Sequence, residues 1–518
     1  MSVKNSSMNG AQSIVRSLVA GGVDTCFANP GTSEMHFVAA LDRIEGIRCI
    51  LGLQENVVTG MADGYWRMAR RPACTLLHCG PGLANGFANL HNARRARSGI
   101  LNIVGDQATY HRPHDAPLTT DTDAVARATS DWVRTSVAAA TVAQDAVAAL
   151  QAAKASQIAT LILPSDVSWD DGGIVAPVLP HIAAVAPSPQ AIEGAARALR
   201  HRGETVLLLL GGDAVLADGQ RLAWQIAQRT GASLMAEYGV SRVSRGHGRL
   251  PLARMPYSIE AATQALARFE HIVLVGASAP VSFFAYPGQP STLQVPTSQL
   301  HTLARPDQDV LVGLHALAET LGYIELAMPV GGPRPEPGRG IPTPEGLART
   351  VAALLPEHAI VSDESISYGR GFYAHTESAL PHEWLHLTGG AIGQGLPLAA
   401  GAAIGEPGRR VLSLQADGSA MYSLQSLWTQ ARERLPCTTV ILNNRKYNIL
   451  IGEYRAVGAQ LGQTALRMLD LGNPDLNWVQ LANGMGVEAA RATTLEQCAD
   501  LMRTSFAQEG PFLIDLQV

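Results

Sequence analysis

Two apolar runs in the last quarter of the chain each end on an oxygen-bearing side chain, and this pairing restricts the fold more than any other feature. Val411-Leu412-Ser413-Leu414 leads into Ala416-Asp417-Gly418-Ser419, and Cys437-Thr438-Thr439-Val440-Ile441-Leu442 leads into Asn443-Asn444-Arg445-Lys446-Tyr447. Short, apolar, β-branched runs of this kind predict strands buried on both faces. The stretch from Tyr422 to Arg434 has helical spacing, so the unit reads β-α-β. Asp417 and Asn444, 27 positions apart, then stand at the carboxyl ends of adjacent parallel strands, where doubly wound sheets bind ligands. A carboxylate and an amide carbonyl are hard ligands for a magnesium-sized cation whose shell phosphate oxygens complete. Gly418 permits close backbone approach, and Ser419 opens a helix whose N-terminus favours an anion. Either piece alone fits an ordinary βαβ unit; the two at this spacing are more specific.

Three further segments carry candidate chemistry. Ile50 to Tyr65 places Glu55 after an apolar strand and at the start of a helix that contains Ala62-Asp63-Gly64-Tyr65. An acid there is ordinarily a cap or a dipole-favoured residue. His78 follows the run Ala73 to Leu77 and precedes Cys79-Gly80-Pro81-Gly82, a position open to a hydrogen-bonded loop histidine as much as to a reacting one. Gly389-Gly390-Ala391-Ile392-Gly393 predicts a tight strand-to-helix turn that brings backbone against a ligand or simply buries an isoleucine.

The 518 residues suit three domains of roughly 150 to 190 residues. Proline- and glycine-rich stretches at Asp170–Gln190 and Val330–Pro344 divide the chain into 1–175, 188–325 and 340–518. Each part alternates helical and strand patterns, which predicts an α/β protein of three doubly wound domains with mainly parallel sheets. A net charge of −5 with no long basic run argues against nucleic acid. No apolar run reaches the roughly 18 residues of a membrane span, and Met1–Ala20 lacks a leader pattern. The six cysteines lack metal-site spacing and predict reduced thiols in the cytoplasm. Glycines after Leu210 and Val275 leave a nucleotide-dependent oxidoreductase as an alternative, although neither turn is a G-x-G-x-x-G opening a helix.

The Asp417–Asn444 unit resembles the cofactor signature of thiamine diphosphate (ThDP) enzymes, with Ala416 where that signature has glycine. Asn29-Pro30-Gly31-Thr32-Ser33-Glu34, Leu53-Gln54-Glu55, Leu77-His78 and the Gly389 turn follow in the order of the pyruvate oxidase, acetolactate synthase and benzoylformate decarboxylase group. The likeness is closest to benzoylformate decarboxylase and runs nearly end to end. It implies pyrimidine-binding, central and diphosphate-binding domains. It also implies ThDP with Mg²⁺ or Ca²⁺, and no FAD. Glu55 would share a proton with the aminopyrimidine ring, Gly390 would hold that ring, and Ile392 would wedge the cofactor into its bent form. Gly418, Ser419, Ser367 and Tyr422 would line the cofactor, and Asp417, Asn444 and Lys446 would hold the cation.

Because the group's cofactor lies between subunits, the resemblance implies a homodimer at minimum, with a homotetramer as in many relatives. The implied reaction is 2-oxo acid decarboxylation to an enamine, released as an aldehyde or coupled to an aldehyde or second 2-oxo acid. Acetolactate synthase activity is the alternative within the class. His78 and Thr32 match substrate-facing positions. The second active-site histidine of benzoylformate decarboxylase is absent: that segment reads Phe283-Phe284-Ala285-Tyr286, which favours coupling and aliphatic substrates over benzoylformate. His111 and His114 either supply an imidazole instead or belong to a surface loop.

Overall fold

The computed structural model describes residues 8–180, 182–322, 325–329 and 331–518. Residues 1–7, 181 and 330, which belong to the leader and linker assignments above, lie outside them, as do 323 and 324 in the middle segment. The chain builds three α/β sheets, each from apolar strands followed by helices. In the first, β1 (Thr25–Asn29), β2 (Arg48–Leu51), β3 (Cys74–Leu77), β4 (Ile100–Asp106), β5 (Trp132–Thr135) and β6 (Ile158–Pro164) lie in the order β2-β1-β3-β4-β6-β5. All pairs are parallel. Strands β3, β4 and β6 are buried at every position, as helices on both faces require.

The next five strands are β7 (Val206–Leu210), β8 (Ser233–Ala236), β9 (Arg242–Arg245), β10 (His271–Val275) and β11 (Gln299–Ala304). Four of them form the parallel sheet β11-β10-β7-β8, while β9 leaves it. The third sheet, β16-β17-β15-β14-β12-β13-β9, uses β12 (Ile360–Glu364), β13 (His382–His386), β14 (Val411–Ala416), β15 (Cys437–Asn443), β16 (Glu488–Ala492) and β17 (Phe512–Gln517). Its one antiparallel pair is β9 with β13. The segment 188–325 therefore lends an edge strand to 340–518, a crossing that the linker-based division does not describe. Polar bonds explain it: Arg242 Nε donates to Glu383 at 2.9 Å, and Ser244 Oγ donates to the same carboxylate at 2.9 Å. Arg245 buries its guanidinium 3.5 Å over the Tyr373 ring.

The first and third sheets share one core. Helix Glu55–Ala69 runs backbone to backbone along helix Gly395–Gly405: a Cβ on Gly64 would stand 2.1 Å from the Leu398 carbonyl oxygen, and one on Gly401 1.9 Å from that of Met61. Only glycine allows that approach. Val57, Met61 and Tyr65 bury with Leu398, Ala402, Val411 and Cys437 in a single cluster. A buried ion pair, Arg67 to Asp63 at 2.8 Å, pins the crossing. Arg67 also donates to the His386 carbonyl and Thr388 Oγ1, and Asp63 accepts from Gln394 Nε2 at 2.6 Å.

The β14-to-β15 crossover is less helical than its spacing predicts. Asp417–Ala420 makes one turn and Ser426–Arg432 a short helix. Tyr422, Ser423 and Ser426 close i→i−3 turns between them. A single turn leaves no extended helix end for an anion, so an oxyanion there would meet local N–H groups rather than an accumulated dipole. Among the described residues no helix is long and apolar enough to cross a membrane.

Candidate active site

The carboxyl ends of the first sheet form one rim. Glu55 begins its helix directly after β2, but Gln54 is the cap, its Oε1 accepting the N–H groups of Asn56 at 2.5 Å and Val57 at 3.3 Å. Glu55 is therefore not the cap, although it stays an acid in the helix's first turn. Glu55 is 7% exposed, and Oε2 accepts from Asn85 Nδ2 at 3.1 Å. Its carboxylate has no cationic partner among the described residues, an arrangement that costs free energy unless a ligand completes it.

His78 caps β3 beside it. Its Nδ1 lies 2.9 Å from Glu34 Oε2 and 3.2 Å from Ser33 Oγ. Glu34 is 1% exposed and also accepts from the Gly31 N–H at 2.7 Å and Ser33 Oγ at 2.7 Å. The partner assigns the tautomer: Nδ1–H donates to the carboxylate, leaving Nε2 as the free nitrogen. Gly31 is required beneath the imidazole, since a Cβ there would stand 2.3 Å from the ring. Thr32 does not join this cluster: it begins the 3₁₀ turn Thr32–Glu34 and is exposed without a side-chain hydrogen bond. Its neighbour Ser33 is the residue that reaches His78, at 3.2 Å. Both Ser33 and Glu34 lay inside the Asn29–Glu34 motif and were not singled out by it. His111 and His114 lie in an exposed loop after β4.

The carboxyl ends of the third sheet form the other rim. Asp417, 1% exposed at the end of β14, accepts the N–H groups of Gly418 at 2.9 Å and Arg445 at 2.6 Å. Burial pushes its carboxyl up to about 6 against those donors. Among the described residues no ammonium or guanidinium pairs with it. Ala416 has φ −68°, so the methyl in place of glycine carries no strain. Asn444 follows β15, with Oδ1 accepting from the Lys446 N–H at 3.1 Å across a left-handed Arg445 (φ 59°). The Lys446 side chain is exposed. Tyr447 stands over Gly418 so closely that a Cβ would be 2.4 Å from its ring, and Tyr422 is exposed against Gly393. Ser419 is buried beside Asp417, and Ser367 is half-buried after Ile366, whose φ of 49° is unusual for a β-branched residue.

The glycine turn is held from three sides. Glu364, at the end of β12, accepts the N–H groups of Gly393 at 2.7 Å, Gln394 at 3.2 Å and Gly395 at 2.8 Å. Burial raises it to about 7, opposed by those three donors. Asn92 brackets Ala391, its Nδ2 donating to the carbonyl at 2.7 Å and its Oδ1 accepting the N–H at 3.2 Å. Asp63 holds Gln394 from the first sheet. Sequence patterning missed Glu364, although its place at a strand end is the same signal that marks Asp417. Gly390 has φ 78° and is exposed, and a Cβ there would meet the Phe283 ring at 2.4 Å. Ile392 is half-buried in the same turn. Phe283 belongs to an aromatic wall with Phe284, Tyr257 and Tyr238, at centroid distances of 4.8, 5.6 and 6.1 Å.

The oxidoreductase alternative has a simpler explanation in packing. The Gly211 N–H donates to the Val275 carbonyl at 2.9 Å, and a Cβ on either Gly211 or Gly276 would strike the other's carbonyl oxygen at 2.5–2.6 Å.

A buried carboxylate without a counter-ion, an amide on the neighbouring strand and an exposed glycine turn fit a cation-held diphosphate and its attached ring, as in thiamine diphosphate enzymes. Residues 8–127 match the N-terminal TPP binding domain of thiamine pyrophosphate enzymes, and residues 369–516 match the C-terminal TPP binding domain. The chain belongs to the thiamine pyrophosphate enzyme family, thiamine pyrophosphate being another name for ThDP. It is 50% identical over 514 residues to a Mycobacterium tuberculosis protein provisionally named acetolactate synthase large subunit IlvX, covering 99% of both chains. It is 30% identical over 525 residues to benzoylformate decarboxylase of Pseudomonas aeruginosa, covering 96% of both. The solved thiamine diphosphate-dependent 4-hydroxybenzoylformate decarboxylase of Rhodococcus jostii RHA1 shares the fold, with a TM-score of 0.84 over 99% of both chains at 24% identity.

Proposed function

We propose that this chain is a ThDP- and Mg²⁺-dependent 2-oxo acid decarboxylase that favours carboligation over aldehyde release. When bound, ThDP supplies the electron sink for loss of CO₂. Asp417, Asn444 and the Lys446 backbone would hold Mg²⁺ against the diphosphate, while Gly418, Ser419, Ser367 and Tyr422 line it. Gly390 and Ile392 would seat the ring, and Glu55 would share a proton with it. The observation that carries the 2-oxo acid reading is His78, fixed through Nδ1 by buried Glu34 on the same rim as Glu55. Its free Nε2 carries a lone pair suited to take up a proton, and once protonated it would donate to a substrate carboxylate.

Phe283 supports the preference for coupling: it covers the Gly390 turn with an apolar ring where an imidazole would deliver a proton. The acceptor would be an aldehyde or a second 2-oxo acid, and acetolactate formation is the second reading, favoured by the 50% identical relative. Among the described residues Glu55 and Asp417 share no hydrogen-bond partner, and by the resemblance they would meet across copies in a homodimer at minimum, assembled as a homotetramer. Six free cysteines support a cytoplasmic setting. A panel of 2-oxo acids, with and without added aldehyde, in ThDP and Mg²⁺, tests the proposal through CO₂ and coupled product measured in the same tubes. Coupled product from pyruvate is expected. Rapid conversion of benzoylformate to benzaldehyde, with nothing coupled from pyruvate, would reverse the assignment.

A further inference from the structure

At the edge of the Glu55 rim, Glu34, His78 and Cys79 bring a carboxylate oxygen, an imidazole nitrogen and a thiol within 4.8 Å of one another. Ser33 Oγ links them, 3.2 Å from His78 Nδ1 and 3.0 Å from Cys79 Sγ. Cys79 is buried with a left-handed backbone (φ 51°). The His78 side chain keeps 23% of its surface open to solvent, which gives an ion a way in.

We propose that Glu34, His78 and Cys79 form a binding site for a thiophilic divalent cation of the zinc class, and that filling it inhibits the enzyme. Thiolate, imidazole and carboxylate are the zinc donor set, at about 2.3, 2.0–2.1 and 2.0–2.2 Å from the metal. Tetrahedral ligands at those lengths stand roughly 3.3–3.7 Å apart, so the present spacing needs shifts of only about 1 Å. The Ser33 hydroxyl, within 3.2 Å of a donor atom on each of the three residues, stands at the fourth position. Magnesium prefers six oxygens and is disfavoured by sulfur and nitrogen, so the two cations sort to different sites.

Binding releases one proton, from the Cys79 thiol. Thiolate and carboxylate together balance the cation's two charges. His78 stays neutral: the metal takes Nδ1, and the ring proton moves to Nε2. The nitrogen that was free to accept a proton then becomes a donor. The inhibitory half of the proposal rests on the role given to His78 above, whereas the binding half does not.

The test starts with cofactor-free, full-length protein titrated with Co²⁺, which reports thiolate ligation as a near-ultraviolet charge-transfer band. One saturable equivalent is expected, displaced by Zn²⁺. Cys79→Ser, which keeps the bond to Ser33, should weaken binding at least tenfold, whereas Cys49→Ser at the exposed thiol should leave it intact. Absence of the band, or its loss with Cys49→Ser rather than Cys79→Ser, overturns the site. In the ThDP- and Mg²⁺-loaded enzyme, Zn²⁺ should inhibit over the concentrations that fill the site, and excess Mg²⁺ should not relieve it. Cys79→Ser should escape inhibition relative to its own zinc-free rate. A filled site with an unchanged rate would reject inhibition and the role of His78 together. A missing band with normal turnover would reject the metal site alone.

Discussion

The candidate site residues are defined less by their own identity than by the neighbour that takes away their ordinary duty. Gln54 caps the helix, which leaves Glu55 a buried carboxylate with one amide partner. Glu55→Gln should then cut turnover by about 10²–10⁴-fold, the usual size of a general acid–base contribution, with an unchanged melting curve. Near wild-type turnover in that variant would end the assignment. Asp417 is the converse case, a carboxylate lifted to about 6 because burial outweighs its N–H donors. A raised carboxyl binds its proton more tightly when folded, so without a cation this group's contribution to stability is greatest below about 4 and is lost as pH rises towards about 6. A cation held there would have to displace that proton. Apparent Mg²⁺ affinity should therefore fall about tenfold per pH unit below pH 6 and level off above it. Cofactor titrations followed by tryptophan fluorescence from pH 5 to 8 check this, and a flat profile would place the cation elsewhere.

At the scale of elements, the decisive feature is the crossing of helices Glu55–Ala69 and Gly395–Gly405. The first carries Glu55 at its start, and the second follows the glycine turn, so one packing contact positions elements of both rims. Asp63 and Arg67 lock it: the pair is buried, and each member also reaches the segment between β13 and the second helix, Arg67 at Thr388 and Asp63 at Gln394. Removing one partner of such a pair leaves an uncompensated buried charge. Arg67→Ala should cost about 3–5 kcal/mol of stability, read as a lowered denaturant midpoint of the full-length protein. A loss below about 1 kcal/mol would mean that water replaces the guanidinium. Ala62-Asp63-Gly64-Tyr65 was visible as a motif, but its reason was not: Gly64 meets a helix more than three hundred residues away in the chain.

For the whole molecule, the two rims pose a question of assembly that mutant mixing answers. Glu55→Gln disables one rim and Asp417→Ala the other. If sites form between copies, a hybrid dimer of the two has one doubly damaged site and one intact site. Co-expression with random pairing should recover roughly a quarter of the wild-type rate, whereas each variant alone stays inactive. No recovery in isolated hybrids would place the whole site within one chain.

Strand-ending motifs were legible in the sequence because each depends on local chemistry. An apolar run must be buried, and the polar residue directly after it must lie at the strand's carboxyl end. That reasoning located Glu55, His78, Asp417, Asn444 and the Gly389 turn on named strand ends and predicted three α/β sheets. What stayed hidden depends on distant partners: Glu364 beneath the glycine turn, Asn92 bracketing it, Phe283 over Gly390, and β9 crossing to the third sheet. Ser33 rather than Thr32 meets His78 because a 3₁₀ turn rotates the second residue into the cluster and leaves the first exposed. Period and composition report which face of an element is buried; which element comes to cover that face is decided only by tertiary packing, through contacts between residues far apart in the chain.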